Sequence, residues 1–218
     1  MHIILVANTK GGVGKTTFAQ HFVLPALKKA VFVDTDTFNS SINNIKNSKY
    51  LVDAVKLRAV KVDNEREVAD IPKLAEEFFT VIEKYSTDYI IVDTGGGTTA
   101  SSVLKTLLVA FPELIKMVFI PTLEVNINIK KTVDFVSSLT DRCMIVNVVN
   151  QSYDDGIYIP EISSTFFEFA KEFQITLPEI SDIDGQLNIR ERGIKYMYEK
   201  LISNKVNQAI ESVRRALT

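Results

Sequence analysis

The sequence predicts a single α/β domain, built on a mainly parallel β-sheet with helices on both faces. Short runs rich in β-branched and aromatic residues alternate with stretches whose apolar residues recur at steps of three and four. This alternation is typical of βαβ units, whose strands lie parallel in one sheet. The 218 residues, 46% of them hydrophobic, suffice for one substantial core but not for two full domains. We therefore expect one domain over residues 1–218.

The short apolar runs predict five strands, at Ile3–Ala7, Ala30–Asp34, Tyr89–Asp93, Met117–Ile120 and Met144–Asn147. The amphipathic stretches predict helices at Lys15–Lys28, Pro72–Tyr85, Ile129–Leu139 and Ser163–Phe173, and a last helix at about Glu191–Leu217. The run Asn39–Asn44 is expected to be loop, and the alternation in Leu57–Asp63 predicts an extra strand. In a parallel sheet the carboxyl ends of the strands form the edge at which ligands bind.

The composition also indicates where the protein resides. No stretch approaches the roughly 18 apolar residues of a membrane span, and no secretory signal is visible at the N-terminus. The single cysteine, Cys143, lies in an apolar run and is expected to be a buried thiol. We therefore expect a soluble, cytoplasmic protein.

The most informative segment is Asn8–Thr17, which reads Asn-Thr-Lys-Gly-Gly-Val-Gly-Lys-Thr-Thr and follows the first predicted strand. A glycine-rich turn between a strand and a helix directs backbone N–H groups and the positive end of the helix dipole outward, an arrangement that binds phosphate. In such a loop the lysine, here Lys15, reaches the β and γ phosphates, and the next hydroxyl, here Thr16, is a ligand of Mg²⁺. The residues expected to bind the nucleotide are Gly11, Gly12, Val13, Gly14, Lys15, Thr16 and Thr17.

The loop departs from the usual G-x-x-x-x-G-K-[ST] pattern, because Thr9 stands where its first glycine is expected. A second lysine, Lys10, lies five residues before Lys15. This pattern resembles the ParA/MinD family of deviant Walker A ATPases, most closely the small ParA-type partition ATPases. The resemblance implies a P-loop NTPase that binds ATP and Mg²⁺ and forms an ATP-dependent homodimer, in which Lys10 reaches the nucleotide of the other subunit. A glycine-rich turn without a ligand is the alternative, which two lysines and two threonines at these spacings disfavour.

Two predicted strands end in carboxylates, at the edge where a parallel sheet binds its ligands. Asp93 matches the Walker B aspartate, which holds Mg²⁺ through water in the resembling family; a cap for the following turn is the alternative. Asp36 resembles the acid of the family's first switch, close to the attacking water and to the Mg²⁺ shell, and Asp34 is the competing candidate. Thr37 and Gly95 stand where many relatives have proline.

The resemblance also implies an asparagine that recognises adenine at the end of the predicted strand Met144–Asn147. Asn147 is the first choice and Asn150 the second, because an asparagine side chain both donates and accepts hydrogen bonds, as the adenine edge does. A plain turn residue is the alternative for either. The residues expected to act in catalysis are Lys10, Lys15 and Asp36, and those expected to hold Mg²⁺ are Thr16, Asp36 and Asp93.

A basic bias is confined to residues 186–218, which carry seven basic and three acidic side chains. The whole chain has 25 Lys and Arg against 27 Asp and Glu, so the remainder carries 18 basic and 24 acidic groups. A basic surface attracts an anionic polymer, whereas a solvated helix face is the alternative explanation. The candidates for contact with DNA phosphates are Arg190, Arg192, Lys195, Arg214 and Arg215.

The leading functional prediction is a slow, Mg²⁺-dependent ATPase of plasmid or chromosome partition. It is expected to bind DNA without sequence preference in its ATP form and to be stimulated by an accessory, centromere-binding protein. The alternatives are an ATPase of conjugative transfer with a protein partner and a MinD-like positioning ATPase that binds a membrane. The apolar stripe of the last predicted helix has no Phe or Trp, so membrane binding is not favoured. A metabolic ligase lacks a second constellation for its substrate, and an iron–sulfur reductase of this family needs more than the single Cys143.

Overall fold

The computed structural model describes residues 1–36, 42–46, 48–63, 66–123, 144–150, 174–177 and 203–218. The strands within these ranges are β1 (His2–Val6), β2 (Ala30–Asp34), β3 (Leu51–Lys56), β4 (Val60–Asp63), β5 (Arg66–Ala69), β6 (Tyr89–Asp93), β7 (Ile115–Leu123), β8 (Met144–Asn150) and β9 (Gln174–Leu177). Seven of them form one parallel sheet in the order β3-β2-β6-β1-β7-β8-β9. The other two, β4 and β5, form an antiparallel hairpin. The predicted α/β fold with a mainly parallel sheet is confirmed.

The helices in the described part of the chain lie on both faces of this sheet. They are α1 (Lys15–Phe18), a π-helical segment (Ala19–Val23), α2 (Leu24–Leu27), α3 (Ile71–Lys84), α4 (Gly97–Ala110) and α5 (Ser203–Leu217). A single 3₁₀ turn, Ile42–Asn44, lies in the run predicted to be loop, of which residues 39–41 are outside the described part of the chain. Alternate residues of β1 point to opposite faces, as in any strand. Ile3 and Leu5 pack in the cluster that contains residues of α3 and α4, whereas Ile4 and Val6 pack in the cluster that contains residues of the π segment and α5. Burial on both faces explains why the central strands are continuous apolar runs.

The helix after the phosphate loop widens in its middle, where Ala19–Val23 is π-helical. Pro25 follows in the first turn of α2 and has no N–H to donate. In a regular α-helix its ring would clash with the carbonyl group four residues earlier, that of His21. We attribute the π segment to this proline, because a wider turn removes the clash. The helix ends at Leu27, and Lys28 adopts the left-handed region with φ 65°.

The predicted bounds of β2 and β6 are confirmed, and α3 begins and ends one residue earlier than predicted. The prediction of a strand at Leu57–Asp63 is wrong at its start. The main-chain N–H groups of Arg58 and Ala59 donate to Oε2 of Glu77, at 2.7 Å and 3.0 Å. Because a side chain on α3 binds these two donors, the chain turns here instead of continuing as a strand.

Four of these strands and helices were not predicted: the edge strand β3, strand β5, helix α4 and strand β9. The last helix is described only from Ser203, so the predicted residues 191–202 lie outside the described part of the chain. The predicted helices at Ile129–Leu139 and Ser163–Phe173, and Cys143, also lie outside it. In the ranges that the structure describes, no helix has both the length and the apolar character needed to span a bilayer.

We expect the buried His21 to make the free energy of unfolding depend on pH. Burial lowers its pKa from 6.5 to about 4, so between these values the unfolded chain binds a proton that the folded chain does not. The stability that His21 contributes is therefore complete above pH 6.5 and falls by about 3 kcal/mol as the pH is lowered to 4. Urea unfolding measures the free energy of unfolding of the wild type and of His21→Leu. As the pH is lowered from 6.5 to 4, the wild type should lose stability relative to the variant. His2→Gln, at an exposed histidine, is the control, and a difference that does not change with pH would contradict the prediction.

Candidate nucleotide-binding site

The register of the central strands brings three strand ends together at the carboxyl edge of the sheet. Asp93, the last residue of β6, lies opposite Val6 at the end of β1 and opposite Asp34 at the end of β2. The phosphate loop begins directly after Val6. Asp93, and Asp34 as the candidate that competes with Asp36, therefore end their strands at the edge of the sheet where this loop begins.

The phosphate loop depends on glycine at two positions. Gly12 and Gly14 have φ values of 76° and 86°, in the region that side chains other than glycine rarely adopt. Gly14 precedes the first helical residue, and its carbonyl accepts the N–H of Phe18 at 2.8 Å. The helix therefore starts beside the sheet edge, where the N–H groups of a first helical turn and the positive end of the helix dipole favour an anion.

Asn8 fixes the entry to the loop, a role that the sequence had not indicated. Its side chain is buried, donates to the carbonyl of Pro121 at 2.8 Å and accepts the N–H of Lys10 at 2.9 Å. The loop is thereby tied both to β7 and to its own next turn.

The two lysines of the loop contact each other through the main chain of one of them. Lys15 is only 7% exposed, and its Nζ donates to the carbonyl oxygen of Lys10 at 2.9 Å. The ammonium group thus lies within the loop, in position to attract phosphate oxygens. Lys10 is half-buried, and its main-chain N–H and carbonyl groups both stabilise the loop.

Asp93 is the most unusual group of the site. Its side chain is completely buried, and neither carboxylate oxygen has a hydrogen-bond partner within the described part of the chain. Burial raises the pKa of this carboxyl to about 7; the nearby Thr16 hydroxyl and the Lys15 ammonium group lower it, and the charges of Asp34 and Asp36 raise it further.

A buried carboxylate without a partner is unfavourable unless a cation or a donor is supplied. The oxygens of Asp93 and the nearby Thr16 hydroxyl are the type of ligand that Mg²⁺ prefers. The residues present therefore fit the predicted Mg²⁺ site.

The two acids of the β2 loop differ in their contacts. Asp34 is fully buried; its Oδ1 accepts the N–H of Asp36 at 2.8 Å, and its Oδ2 is 3.3 Å from Nζ of Lys56. Asp36 is half-buried, and its carbonyl oxygen accepts from the same Nζ. Asp34 thus holds the loop in place, and Asp36 remains the candidate for a catalytic role.

Thr35 links the loop after β2 to the loop after β6. Its hydroxyl donates to the carbonyl of Asp93 at 3.2 Å and accepts the N–H of Gly95 at 3.4 Å. The N–H of Gly97 donates to the carbonyl of Thr9 at 2.7 Å. The loop after β2 is thereby connected to the loop after β6, and the start of α4 to the phosphate loop.

The structure places the adenine candidates on β8. This strand extends to Asn150, three residues beyond its predicted end. Asn147 lies inside the strand, opposite Ile120 of β7, whereas Asn150 lies at the strand's carboxyl end, opposite Leu123. The position at the sheet edge favours Asn150, and adenine recognition by either asparagine stays a prediction.

The candidate DNA-binding residues do not form one described cluster. Arg190, Arg192 and Lys195 lie outside the described residues. On α5, Nε of Arg214 donates to the carbonyl of Ala26 at 3.4 Å and its guanidinium pairs with Glu211. The exposed Arg215 donates to the hydroxyl of Ser212 at 3.3 Å.

Three exposed lysines that the sequence had not singled out lie at the amino edge of the sheet, on the side away from the phosphate loop. Lys28 and Lys29 precede β2, next to the Ala26 carbonyl that Arg214 contacts. Lys49 lies beside Tyr50, whose carbonyl accepts the N–H of Ala30 at 3.2 Å. We call this surface the basal basic patch; its members are Lys28, Lys29, Lys49, Arg214 and Arg215. The sequence had singled out Arg214 and Arg215 but not these lysines, of which Lys28 and Lys29 form an adjacent pair directly before a strand.

Comparison with known proteins identifies the fold. No protein-family model matches the chain, and no curated protein matches it in sequence. MinD from Aquifex aeolicus matches with a TM-score of 0.63 and 18% identity over 100% of this chain and 96% of that chain. MinD from Pyrococcus horikoshii in complex with Mg-ADP matches with a TM-score of 0.59 and 18% identity, over 97% of this chain and 94% of that chain. A putative plasmid partition protein from Borrelia burgdorferi, bound to AMPPNP, matches with a TM-score of 0.53 and 20% identity, over 99% of this chain and 97% of that chain. The predicted resemblance to the ParA/MinD ATPases is confirmed at the level of the fold.

We expect Asp93→Asn to stabilise the nucleotide-free chain at pH 8. The wild-type carboxyl is mostly ionised at that pH, because its pKa is about 7, and it is buried without a partner. Asparagine removes the charge at nearly constant volume, so the free energy of unfolding in urea should rise by on the order of 2 kcal/mol. Asp88→Asn, at an exposed aspartate, should leave it unchanged. A less stable Asp93→Asn protein would show that the carboxylate has a partner in the folded chain.

Proposed function

We propose that this chain, which has the fold of the ParA/MinD ATPases, is an ATP-hydrolysing switch that dimerises around ATP and acts in DNA partition with an accessory DNA-binding protein. The observation that carries the proposal is the buried carboxylate of Asp93 beside the phosphate loop, which has no hydrogen-bond partner among the described residues. A structural aspartate would have hydrogen bonds, as Asp34 does. A carboxylate held bare next to an anion-binding loop fits a metal-bound nucleotide.

The nucleotide that fits is a triphosphate with Mg²⁺. Two of the similar structures contain Mg-ADP and AMPPNP, respectively, which supports an adenine nucleotide here. Main-chain N–H groups at the start of α1 and the Lys15 ammonium group would bind the phosphate oxygens. Asp93 and Thr16 would hold Mg²⁺, which neutralises phosphate charge when it is bound.

Hydrolysis of ATP depends on positioning and charge rather than on covalent chemistry by the protein. Asp36 would orient the attacking water, because it follows the buried Asp34 in the loop beside Asp93. Lys10 would provide the missing positive charge across the interface to the nucleotide of the partner subunit. One chain alone therefore has an incomplete site, and turnover is expected to be slow until a dimer and its accessory protein assemble.

We expect Lys10→Ala to abolish ATP-driven dimerisation while leaving nucleotide binding within about threefold of wild type. Its side chain is needed only across the interface, whereas its main-chain contacts to Asn8 and Lys15 survive the substitution. Size-exclusion chromatography with light scattering in AMPPNP and Mg²⁺ measures the dimer, and fluorescent nucleotide titration measures binding.

Two control variants accompany this experiment, one expected to behave as the wild type does and one expected to lose nucleotide binding. Lys105→Ala, at an exposed lysine of α4, should dimerise as the wild type does. Lys15→Ala should lose nucleotide binding itself. An unchanged AMPPNP dimer in Lys10→Ala would refute the interface role, and a wild type that binds no nucleotide would refute the proposed function.

The DNA-binding part of the proposal is supported by the basal basic patch. Lys28 and Lys29 directly precede β2, at the end of the sheet opposite to the phosphate loop, and Arg214 contacts the nearby Ala26 carbonyl and pairs with Glu211. Exposed cations bind phosphates of any sequence by releasing counterions. Because the patch does not overlap the nucleotide site, DNA and ATP would be bound at the same time.

We expect Lys29→Glu to weaken binding of the ATP form to random duplex DNA by about tenfold and to reduce the salt dependence of binding. The matched control is Lys105→Glu, which makes the same charge change on α4, outside the patch. Fluorescence anisotropy at several salt concentrations with AMPPNP measures both quantities. Equal DNA affinities of the two variants would exclude the patch as the DNA-binding surface. A wild type that binds no duplex would exclude DNA as the ligand.

The membrane-binding alternative is disfavoured by the packing of α5. The apolar residues Ile210, Val213, Ala216 and Leu217 of this helix are all buried in the core. The Lys116 side chain also donates to the carbonyl of Leu217, and this contact ties the end of the helix to β7. A membrane-binding helix instead leaves its apolar face available to lipid.

A further inference from the structure

A lysine at the end of the edge strand contacts the acidic loop that follows β2. Lys56 is the last residue of β3 and lies opposite Asp34 in the parallel register of β2 and β3. Its Nζ is 3.3 Å from Oδ2 of Asp34 and also donates to the main-chain carbonyl of Asp36. One ammonium group therefore contacts both Asp34, at the end of β2, and Asp36, the acid expected to orient water.

Asp34 completes this clamp from the other side. Its fully buried carboxylate accepts the N–H of Asp36 at 2.8 Å. Both main-chain polar groups of Asp36 are thus bound, its N–H by Asp34 and its carbonyl by Lys56. Because the peptide groups on both sides of its Cα are held, the direction in which the Asp36 side chain leaves the backbone is also restricted.

We propose that Lys56 is a positioning residue for ATP hydrolysis, which acts through Asp36. The inference rests on the proposed function of the site. The contacts of Lys56 that carry this inference are those with Asp34 and with the carbonyl of Asp36. Its effect is to keep the Asp36 carboxylate where a water molecule must be oriented.

The charges around the loop strengthen this role. Asp34, Asp36 and Asp93 lie near one another, and the first two disfavour the ionised form of the third. Lys56 adds positive charge on the β3 side of this group, as Lys15 does on the side of the phosphate loop. Without the ammonium group, repulsion among the carboxylates would act directly on the loop that carries Asp36.

The test is Lys56→Met, which keeps the length of the aliphatic chain and removes the ammonium group. We expect kcat for ATP hydrolysis to fall by at least about tenfold, with the KM for ATP within about threefold, because misplacement of a catalytic group affects the reaction more than ground-state binding. Lys56→Arg should recover a large part of kcat, since a guanidinium group can donate to both the Asp34 carboxylate and the Asp36 carbonyl.

A control separates positioning from a merely structural ion pair. Lys84 pairs with Asp53 of the same strand at 3.7 Å, far from the loop, so Lys84→Met removes a comparable contact from β3. Amide hydrogen exchange of nucleotide-free protein gives a second readout that does not require turnover. The Asp36 amide should exchange faster in Lys56→Met than in wild type or Lys84→Met.

Each result decides the matter. A kcat unchanged in Lys56→Met, or equally low in Lys56→Met and Lys56→Arg with unchanged Asp36 exchange, would overturn the positioning role. If Lys56→Met does not fold, a Lys56→Arg variant with wild-type kcat and wild-type Asp36 exchange supports it, and one with tenfold lower kcat overturns it. A folded wild type without ATPase activity would instead overturn the proposed function, and with it this role in catalysis.

Discussion

The candidate site depends on the parallel register of β1, β2 and β6. Val6, Asp34 and Asp93 end these strands and lie side by side. All three strands are buried on both faces, and a slip of one residue would reverse the faces to which their apolar side chains point. The hydrophobic packing therefore resists any shift that would move the two carboxylates away from the start of the phosphate loop. The free energy of this packing also offsets the cost of burying the carboxylates of Asp34 and Asp93.

The same edge contains two buried aspartates with opposite roles. Asp34 is satisfied by the chain itself, through the N–H of Asp36 and the ammonium group of Lys56. Asp93 has an equally buried side chain but no hydrogen bond within the described residues, and burial raises its pKa to about 7. Since the two residues are neighbours in register, burial alone does not distinguish them. The difference lies in their contacts: Asp34 forms a direct ion pair with Lys56, whereas the ammonium group of Lys15 only partly offsets the cost of burying Asp93.

The sequence predicted the parts of the site that lie on continuous, fully buried strands. Asp34 and Asp93 follow such runs, so both strand ends were correct. Leu51–Lys56 was missed because an edge strand is mostly only half-buried and lacks an uninterrupted apolar run. Gly97–Ala110 was missed because its first turns are rich in Gly, Ser and Thr, which have low helix propensity. The contact of Lys56 with Asp34 joins residues 22 positions apart and leaves no local pattern in the sequence.

A switch requires a ligand that binds one arrangement of the protein more tightly than another. In the nucleotide-free chain, Thr35 bridges the two acidic loops, and Gly97 binds the phosphate loop at Thr9. Burial disfavours the ionised form of Asp93 and raises the pKa of its carboxyl to about 7. Under the proposed function, a bound cation would offset this cost, so the carboxylate that is unfavourable in the free site would stabilise the loaded one. Nucleotide binding would then change the balance between loop arrangements by more than the direct contacts of the nucleotide.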